Sequence, residues 1–98
     1  MGDYELVRYA GAPLPSGGVT GGELRLYLDQ TIPSFQMGWV QGGAASSRAG
    51  LYTRTGSALE LTVTSGGRLE EYSGVVSGEE VAVSVDDGAF TTFTFRRE

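Results

Sequence analysis

The stretch that decides the fold runs from Gly50 to Arg97, GLYTRTGSALELTVTSGGRLEEYSGVVSGEEVAVSVDDGAFTTFTFRR. It contains five short segments in which apolar and polar residues alternate. In the second segment, Leu59, Leu61 and Val63 are spaced two residues apart, with a polar residue in each gap. Alternation with a period of two places one set of side chains on each face of a β-strand. The stretch therefore predicts five consecutive strands.

Glycine-containing turns separate these segments. The turns are Thr55-Gly56-Ser57, Ser65-Gly66-Gly67, Ser77-Gly78-Glu79 and Asp86-Asp87-Gly88. Gly-Gly and Asp-Gly supply the positive φ angles that a two-residue hairpin requires. Because a hairpin joins antiparallel neighbours, the five strands are predicted to follow one another as a meander.

The first half of the chain carries three more strand patterns. The clearest is the segment 23–29, in which Leu24, Leu26 and Leu28 share one face. The proline- and glycine-rich segment 11–22 and the small, polar segment 42–48 are predicted to be loops. Over the whole chain, strands are predicted at 3–9, 23–29, 34–40, 50–55, 58–65, 68–77, 80–85 and 89–97.

Eight antiparallel strands predict an all-β fold, an up-and-down meander β-barrel formed by one domain over residues 1–98. Eight strands close into a barrel whose interior is filled by side chains or holds one small ligand. Closure leaves no long unpaired edge, which matters in a chain that has no helix to cover one. A two-sheet sandwich is the competing architecture, and the uninterrupted hairpins favour the barrel.

The composition excludes several classes of function. The chain has no cysteine and no histidine, which removes disulfides, thiol chemistry and the commonest general base and metal ligand. The formal net charge is −5 and no basic stripe is present, which argues against a nucleic-acid partner. No run approaches the ~18 apolar residues of a membrane span. The compartment stays open between the cytoplasm and a secreted or periplasmic location with the signal removed.

No catalytic residue, metal site or cofactor is predicted. The acidic doublets Glu70-Glu71, Glu79-Glu80 and Asp86-Asp87 either point to opposite faces of a strand or lie in turns, where carboxylates are ordinarily solvated. The serines have no base to activate them. Arg8 and Arg54 alternate with apolar neighbours, so an arginine could point into the barrel and neutralise a carboxylate ligand. Surface placement beside a carboxylate is the favoured alternative.

The strand and turn positions resemble those of a known group of domains. They are Tyr4-x-Leu6, Gly11-x-Pro13-Leu14-Pro15, Gly22-x-Leu24-x-Leu26-x-x-Asp29, Gly50-x-Tyr52, Leu59-x-Leu61, Tyr72-x-Gly74-x-Val76, Val81-x-Val83 and Phe93-x-Phe95-Arg96. This pattern resembles the small bacterial lipocalin-like (calycin-type) barrel domains over almost the whole chain. It contains no chemical motif, so it implies a fold more than a function. The chain is shorter than lipocalins and lacks their Gly-x-Trp signature near the N-terminus, which implies a shallower cup.

Seven large side chains form the candidate ligand site. They are Phe35, Met37, Trp39, Tyr52, Tyr72, Phe93 and Phe95. As a site, they would line an apolar cavity in which phenolic hydroxyls orient a small apolar or amphipathic molecule. Alternatively, they fill the core of a small barrel and bind nothing. We predict a lipocalin-like barrel that binds such a molecule in its interior.

Two other functions remain open. One is a protein-interaction or inhibitor module that acts through the Pro13–Pro15 loop and the 42–50 loop, since the chain resembles short bacterial barrels that inhibit proteases by their N-terminal segment. The other is a barrel cyclase or isomerase with tyrosine and arginine as acid and oxyanion donor. Tyr9 and Tyr27, placed on an outer face, would favour a homodimer.

Overall fold

A computed structural model describes residues 2–67, 70–86 and 90–98. Its strands are β1 (Gly2–Tyr9), β2 (Ala12–Pro13), β3 (Val19–Asp29), β4 (Ile32–Gln41), β5 (Ala44–Thr55), β6 (Ala58–Val63), β7 (Glu70–Ser77), β8 (Glu80–Asp86) and β9 (Phe90–Arg97). All pairings are antiparallel, and β1 also pairs with β9, which closes the sheet. The short β2 pairs only with the end of β1, so eight strands form the barrel. The predicted all-β meander barrel is confirmed, and the fold is compatible with the lipocalin-like resemblance.

The first half of the chain contains more strand than the sequence predicted. Strand β3 begins at Val19, and β5 begins at Ala44, so the prediction of a loop over 42–48 is wrong. Only Gly42 and Gly43 form the turn, with φ angles of 60° and 80°. The small residues that follow pair with β4 in continuous register, and this pairing outweighs their low intrinsic strand preference. The predicted strand residues 68, 69 and 89 and the Asp87-Gly88 part of a turn lie outside the described residues.

The hydrophobic core is the inside of the barrel. Strands β6 and β8 send every second residue inward, and these leucines and valines are almost fully buried. Strand β5 is the exception, because none of its residues is buried. Its pairing with β4 and β6 places Ser46, Arg48, Gly50 and Tyr52 on the inner face. The barrel wall therefore has one strand whose inward face is largely polar.

Gly50 marks the point where β5 changes partners. The strand pairs with β4 up to Leu51 and with β6 from Gly50 onward. A Cβ atom at Gly50 would overlap the carbonyl oxygen of Thr62. Only glycine lets the two strands approach so closely at this point.

Helical structure is confined to one short turn in the described part of the chain. This is a 3-10 turn over Ser65–Gly67, which follows β6. The hydroxyl of Ser65 accepts a hydrogen bond from the backbone N–H of Ala49 at 3.1 Å, which ties the turn to β5. Within the described residues, no helix has the length and apolar character needed to cross a membrane.

Candidate ligand site at one end of the barrel

Six of the seven residues predicted to bind a ligand are buried inside the barrel. They are Phe35, Met37, Trp39, Tyr72, Phe93 and Phe95, each at most 3% exposed. Tyr52 is half-buried and packs against the same core. The ring centroids of Trp39 and Phe93 lie 4.9 Å apart, and those of Phe93 and Phe95 lie 6.4 Å apart. These residues pack as a barrel core does, and their role in binding a ligand stays a prediction.

A polar cluster is set into the edge of this core. Arg48 lies directly opposite Met37 in the pairing of β5 with β4, so its side chain turns inward. Its guanidinium carbon lies 5.3 Å from the centroid of the Trp39 ring. Its Nε atom donates a hydrogen bond of 3.2 Å to the hydroxyl oxygen of Tyr72. Glu70, the first residue of β7, completes the cluster, with its Oε1 atom 4.0 Å from Nε of Arg48.

Tyr72 connects the two charges. Its hydroxyl accepts the hydrogen bond from Arg48 and donates one to Oε2 of Glu70 at 3.4 Å. Burial raises the pKa of Tyr72 above its ordinary value of 10.0, because the phenolate would lose its hydration, and the nearby Arg48 opposes this rise without cancelling it. Tyr72 is therefore neutral at pH 7 and is able to donate a hydrogen bond.

The cluster is open to solvent on one side. Strands β5 and β7 both begin at this end of the barrel, and the side chains of Arg48 and Glu70 are 19% and 26% exposed. Arg48 Nη1 also donates to the carbonyl oxygen of Ser47 at 2.8 Å. In the described part of the chain, its other N–H groups make no hydrogen bond to the protein. A guanidinium beside a neutral phenol is an arrangement that binds a carboxylate or another oxyanion.

Arg48 is not among the predicted site residues, because the sequence of residues 42–48 predicts a loop. The signal was present, since Ser46, Arg48, Gly50 and Tyr52 are spaced at the period of a strand. The sequence presents Glu70 as half of the acidic doublet Glu70-Glu71. Its pairing partner is Val63, which faces inward, whereas Glu71 is exposed on the outer face.

Arg8 and Arg54, the two arginines considered for the barrel interior, both lie on the surface. Arg8 lies 3.4 Å from Oε2 of Glu80, so the favoured prediction of surface placement beside a carboxylate is correct for it. Arg54 is exposed and donates from Nε to the carbonyl oxygen of Gly56 at 2.9 Å. Neither arginine contributes to the polar cluster.

The prediction that Tyr9 lies on an outer face is wrong. The pairing of β1 with β9 shifts register between Leu6 and Arg8, and this shift turns the Tyr9 ring toward the core. The ring meets Phe93 edge-on, with centroids 5.1 Å apart. Tyr27 has the predicted outward position, with the guanidinium of Arg25 5.2 Å from its ring centroid. Of the two tyrosines predicted to mark a dimer surface, Tyr27 is therefore the one that faces outward.

The raised pKa of Tyr72 predicts a loss of stability at alkaline pH. A group whose pKa is raised on folding stabilises the native state fully below its unfolded pKa, and this contribution is lost as pH rises through the folded pKa. We expect the free energy of unfolding to fall more steeply above about pH 10 in the wild type than in Tyr72→Phe. Urea denaturation of both proteins between pH 8 and pH 11 measures this difference. Equal slopes for the two proteins would contradict the prediction.

Neither a metal site nor a similar known protein identifies a ligand for this cluster. Among the described residues, no group of three or more acidic, histidine or cysteine side chains is arranged to hold a metal ion. No family model, no curated protein and no solved structure matches the chain. The function must therefore be inferred from the residues of the polar cluster and from their surroundings.

Proposed function

We propose that this chain is a small lipocalin-like barrel that binds an amphipathic carboxylate at the open end beside Arg48. The observation that carries the proposal is the position of Arg48, which is held between the Trp39 ring and the Tyr72 hydroxyl yet remains accessible to solvent. An arginine in such a place supplies charge and directed hydrogen bonds next to apolar surface. The carboxylate would bind the guanidinium, and the apolar part would lie toward Trp39.

Glu70 holds Arg48 weakly enough for a ligand carboxylate to compete with it. The 4.0 Å distance to Glu70 exceeds the ~2.7–2.9 Å of a charge-assisted hydrogen bond, and the Tyr72–Glu70 contact of 3.4 Å is also long. A ligand carboxylate can use the guanidinium N–H groups that make no hydrogen bond to the described residues. Glu70 would then swing toward solvent, because two carboxylates at one guanidinium repel each other.

The packed interior limits the size of the ligand. Phe35, Phe93 and Phe95 are at most 1% exposed, so a guest that reached the barrel axis would have to displace them. A guest at the mouth would instead contact the rim, where Ser46 is half-buried and lies directly opposite Trp39. We infer a ligand with a short apolar part and a carboxylate head.

The emission of Trp39 tests this proposal, since the chain contains one tryptophan. We expect octanoate to change the emission saturably, and octylamine, which has the same chain length and the opposite charge, to leave it unchanged. Arg48→Met should weaken octanoate binding at least about tenfold, which corresponds to loss of one hydrogen-bonded charge contact. Arg54→Met on the same strand is the matched control and should bind as the wild type does. An absent response to octanoate, or an equal Kd for Arg48→Met, would refute the proposal.

A further inference from the structure

The β3–β4 hairpin extends past the end of the barrel and leaves one strand edge unpaired. Strand β1 pairs with β3 only over residues 23–26 of β3. Among the described residues, no strand pairs with residues 27–29 on the side of β3 that faces away from β4. Leu28 lies in this edge and is 50% exposed. An unpaired edge with an exposed apolar side chain is a surface to which another β-strand can add.

The turn of the hairpin determines where the backbone of Leu28 points. Gln30 and Thr31 have φ angles of 50° and 73°, so they form a two-residue turn of type I′ between Asp29 and Ile32. Such a turn closes with a hydrogen-bonded pair, so the N–H and C=O of Asp29 point toward β4. Backbone groups of successive strand residues point to opposite sides. The N–H and C=O of Leu28 therefore point toward the open edge.

The other edge of the hairpin is protected against pairing, and this one is not. Strand β5 pairs with β4 only from Ser34 onward, so residues 32 and 33 of β4 also lie beyond the paired part of the sheet. Pro33 has no N–H to donate to a further strand, and proline is a common means of blocking an edge. Residues 27–29 contain neither proline nor lysine. The β3 edge is therefore open to a partner strand.

We propose that residues 27–29 pair in antiparallel orientation with the same residues of a second copy of the chain. A two-fold axis beside Leu28 makes the contact self-complementary, because each copy offers the same surface. The two Leu28 residues exchange both backbone hydrogen bonds, and their side chains meet on one face of the joined sheet. On the other face, Tyr27 of each copy lies directly opposite Asp29 of the other.

The charges on the outer face are complementary in this arrangement. The guanidinium carbon of Arg25 lies 5.2 Å from the centroid of the Tyr27 ring, which places the cation beside the position that Asp29 of the second copy takes. Within the described residues, Asp29 makes no ion pair in its own chain. Arg25 is held by Asp3 only at 3.6 Å, with both side chains more than half exposed. The two symmetric contacts offset the repulsion between chains of net charge −5.

Sedimentation equilibrium tests the proposal. We expect a monomer–dimer equilibrium with a Kd on the order of 100 μM, since an edge contact of three residues is small. The amide signal of Leu28 in two-dimensional NMR spectra should shift over the same concentration range, because its N–H gains an acceptor. Asp29→Arg should weaken association at least about tenfold, since it places a cation beside Arg25 of the other copy. Glu60→Arg makes the same charge change at an exposed position of β6 and should associate at least as tightly as the wild type.

Three results would overturn the proposal. The first is a protein that stays monomeric up to about ten times the expected Kd. The second is association without a shift of the Leu28 amide signal, and the third is an equal loss for Asp29→Arg and Glu60→Arg. Leu28→Pro adds a separate test, because it removes the N–H at the open edge, where proline is tolerated. A folded Leu28→Pro protein that dimerises as the wild type does would also refute the pairing.

The dimer and the carboxylate site can fail separately. Strand β4 begins at the hairpin turn and ends at the turn into β5, so the open edge and the Arg48 cluster lie toward opposite ends of the barrel. Asp29→Arg should leave the octanoate response of Trp39 unchanged. Arg48→Met should in turn leave the sedimentation behaviour unchanged.

Discussion

Replacing Phe93 by alanine is expected to lower the free energy of unfolding by about 4 kcal/mol. Phe93 is 1% exposed and is the ring around which Tyr9, Trp39 and Phe95 pack. The substitution removes those contacts and leaves a cavity that the surrounding strands cannot close, because each is held in register by its neighbours. A small domain is stable by only about 5–15 kcal/mol in total, so most of its stability would be lost.

Urea denaturation followed by circular dichroism measures this change. Leu51→Ala is a suitable control, since Leu51 is 46% exposed on the outer face and its truncation should cost less than about 1 kcal/mol. A loss below about 1 kcal/mol for Phe93→Ala would contradict the prediction. That result would mean that the barrel axis is loosely filled, and a ligand deep in the interior would become the better proposal.

The second half of the fold follows directly from the sequence. In the stretch from Gly50 to Arg97, alternation and turn glycines agree, and neighbouring strands are joined by hairpins. The residues that fix the pairing are close together in the chain, so local signals determine both strands and their partners. Leu59 and Leu61 were predicted to share one face, and they are buried side by side.

The errors in the first half come from pairing that the local sequence does not encode. Residues 44–48 are too small and polar to predict a strand, and they form one because β4 is beside them. The register shift between Leu6 and Arg8 likewise turns Tyr9 inward, against the face that simple alternation gives it. A shift of one residue reverses the face of every later side chain in a strand.

These two effects also explain why the sequence predicts the aromatic residues of the candidate site and not its charged residues. Its aromatic part, Trp39 and Tyr72, is apparent because large residues in a small barrel must point toward the axis. Its charged part is not, because Arg48 comes from the segment interpreted as a loop and Glu70 from a doublet that is ordinarily solvated. A charge placed on the inner face of a barrel strand contradicts the local pattern, and such contradictions are typical of functional positions.

Variants of Arg48 and Glu70 are expected to separate the effect on octanoate binding from the effect on the free energy of unfolding. Arg48→Met alone should cost about 2 kcal/mol, because Glu70 and the Tyr72 hydroxyl lose a charged partner at a half-buried site. Adding Glu70→Met should recover most of this loss. Replacing both members of a partly buried ion pair by apolar side chains of similar length is often neutral for stability. The double variant should nevertheless bind octanoate at least about tenfold more weakly than the wild type.

Four proteins are needed for this test: the wild type, Arg48→Met, Glu70→Met and the double variant. Urea denaturation gives the coupling energy of the pair, and Trp39 emission gives the octanoate affinity of each protein. A double variant as unstable as the sum of the two single changes would mean that the pair is required by the fold. A stable double variant that still binds octanoate would show that the carboxylate binds elsewhere. Recovered stability together with lost binding is the outcome we expect, since a guanidinium that the barrel does not need for folding is available to a ligand.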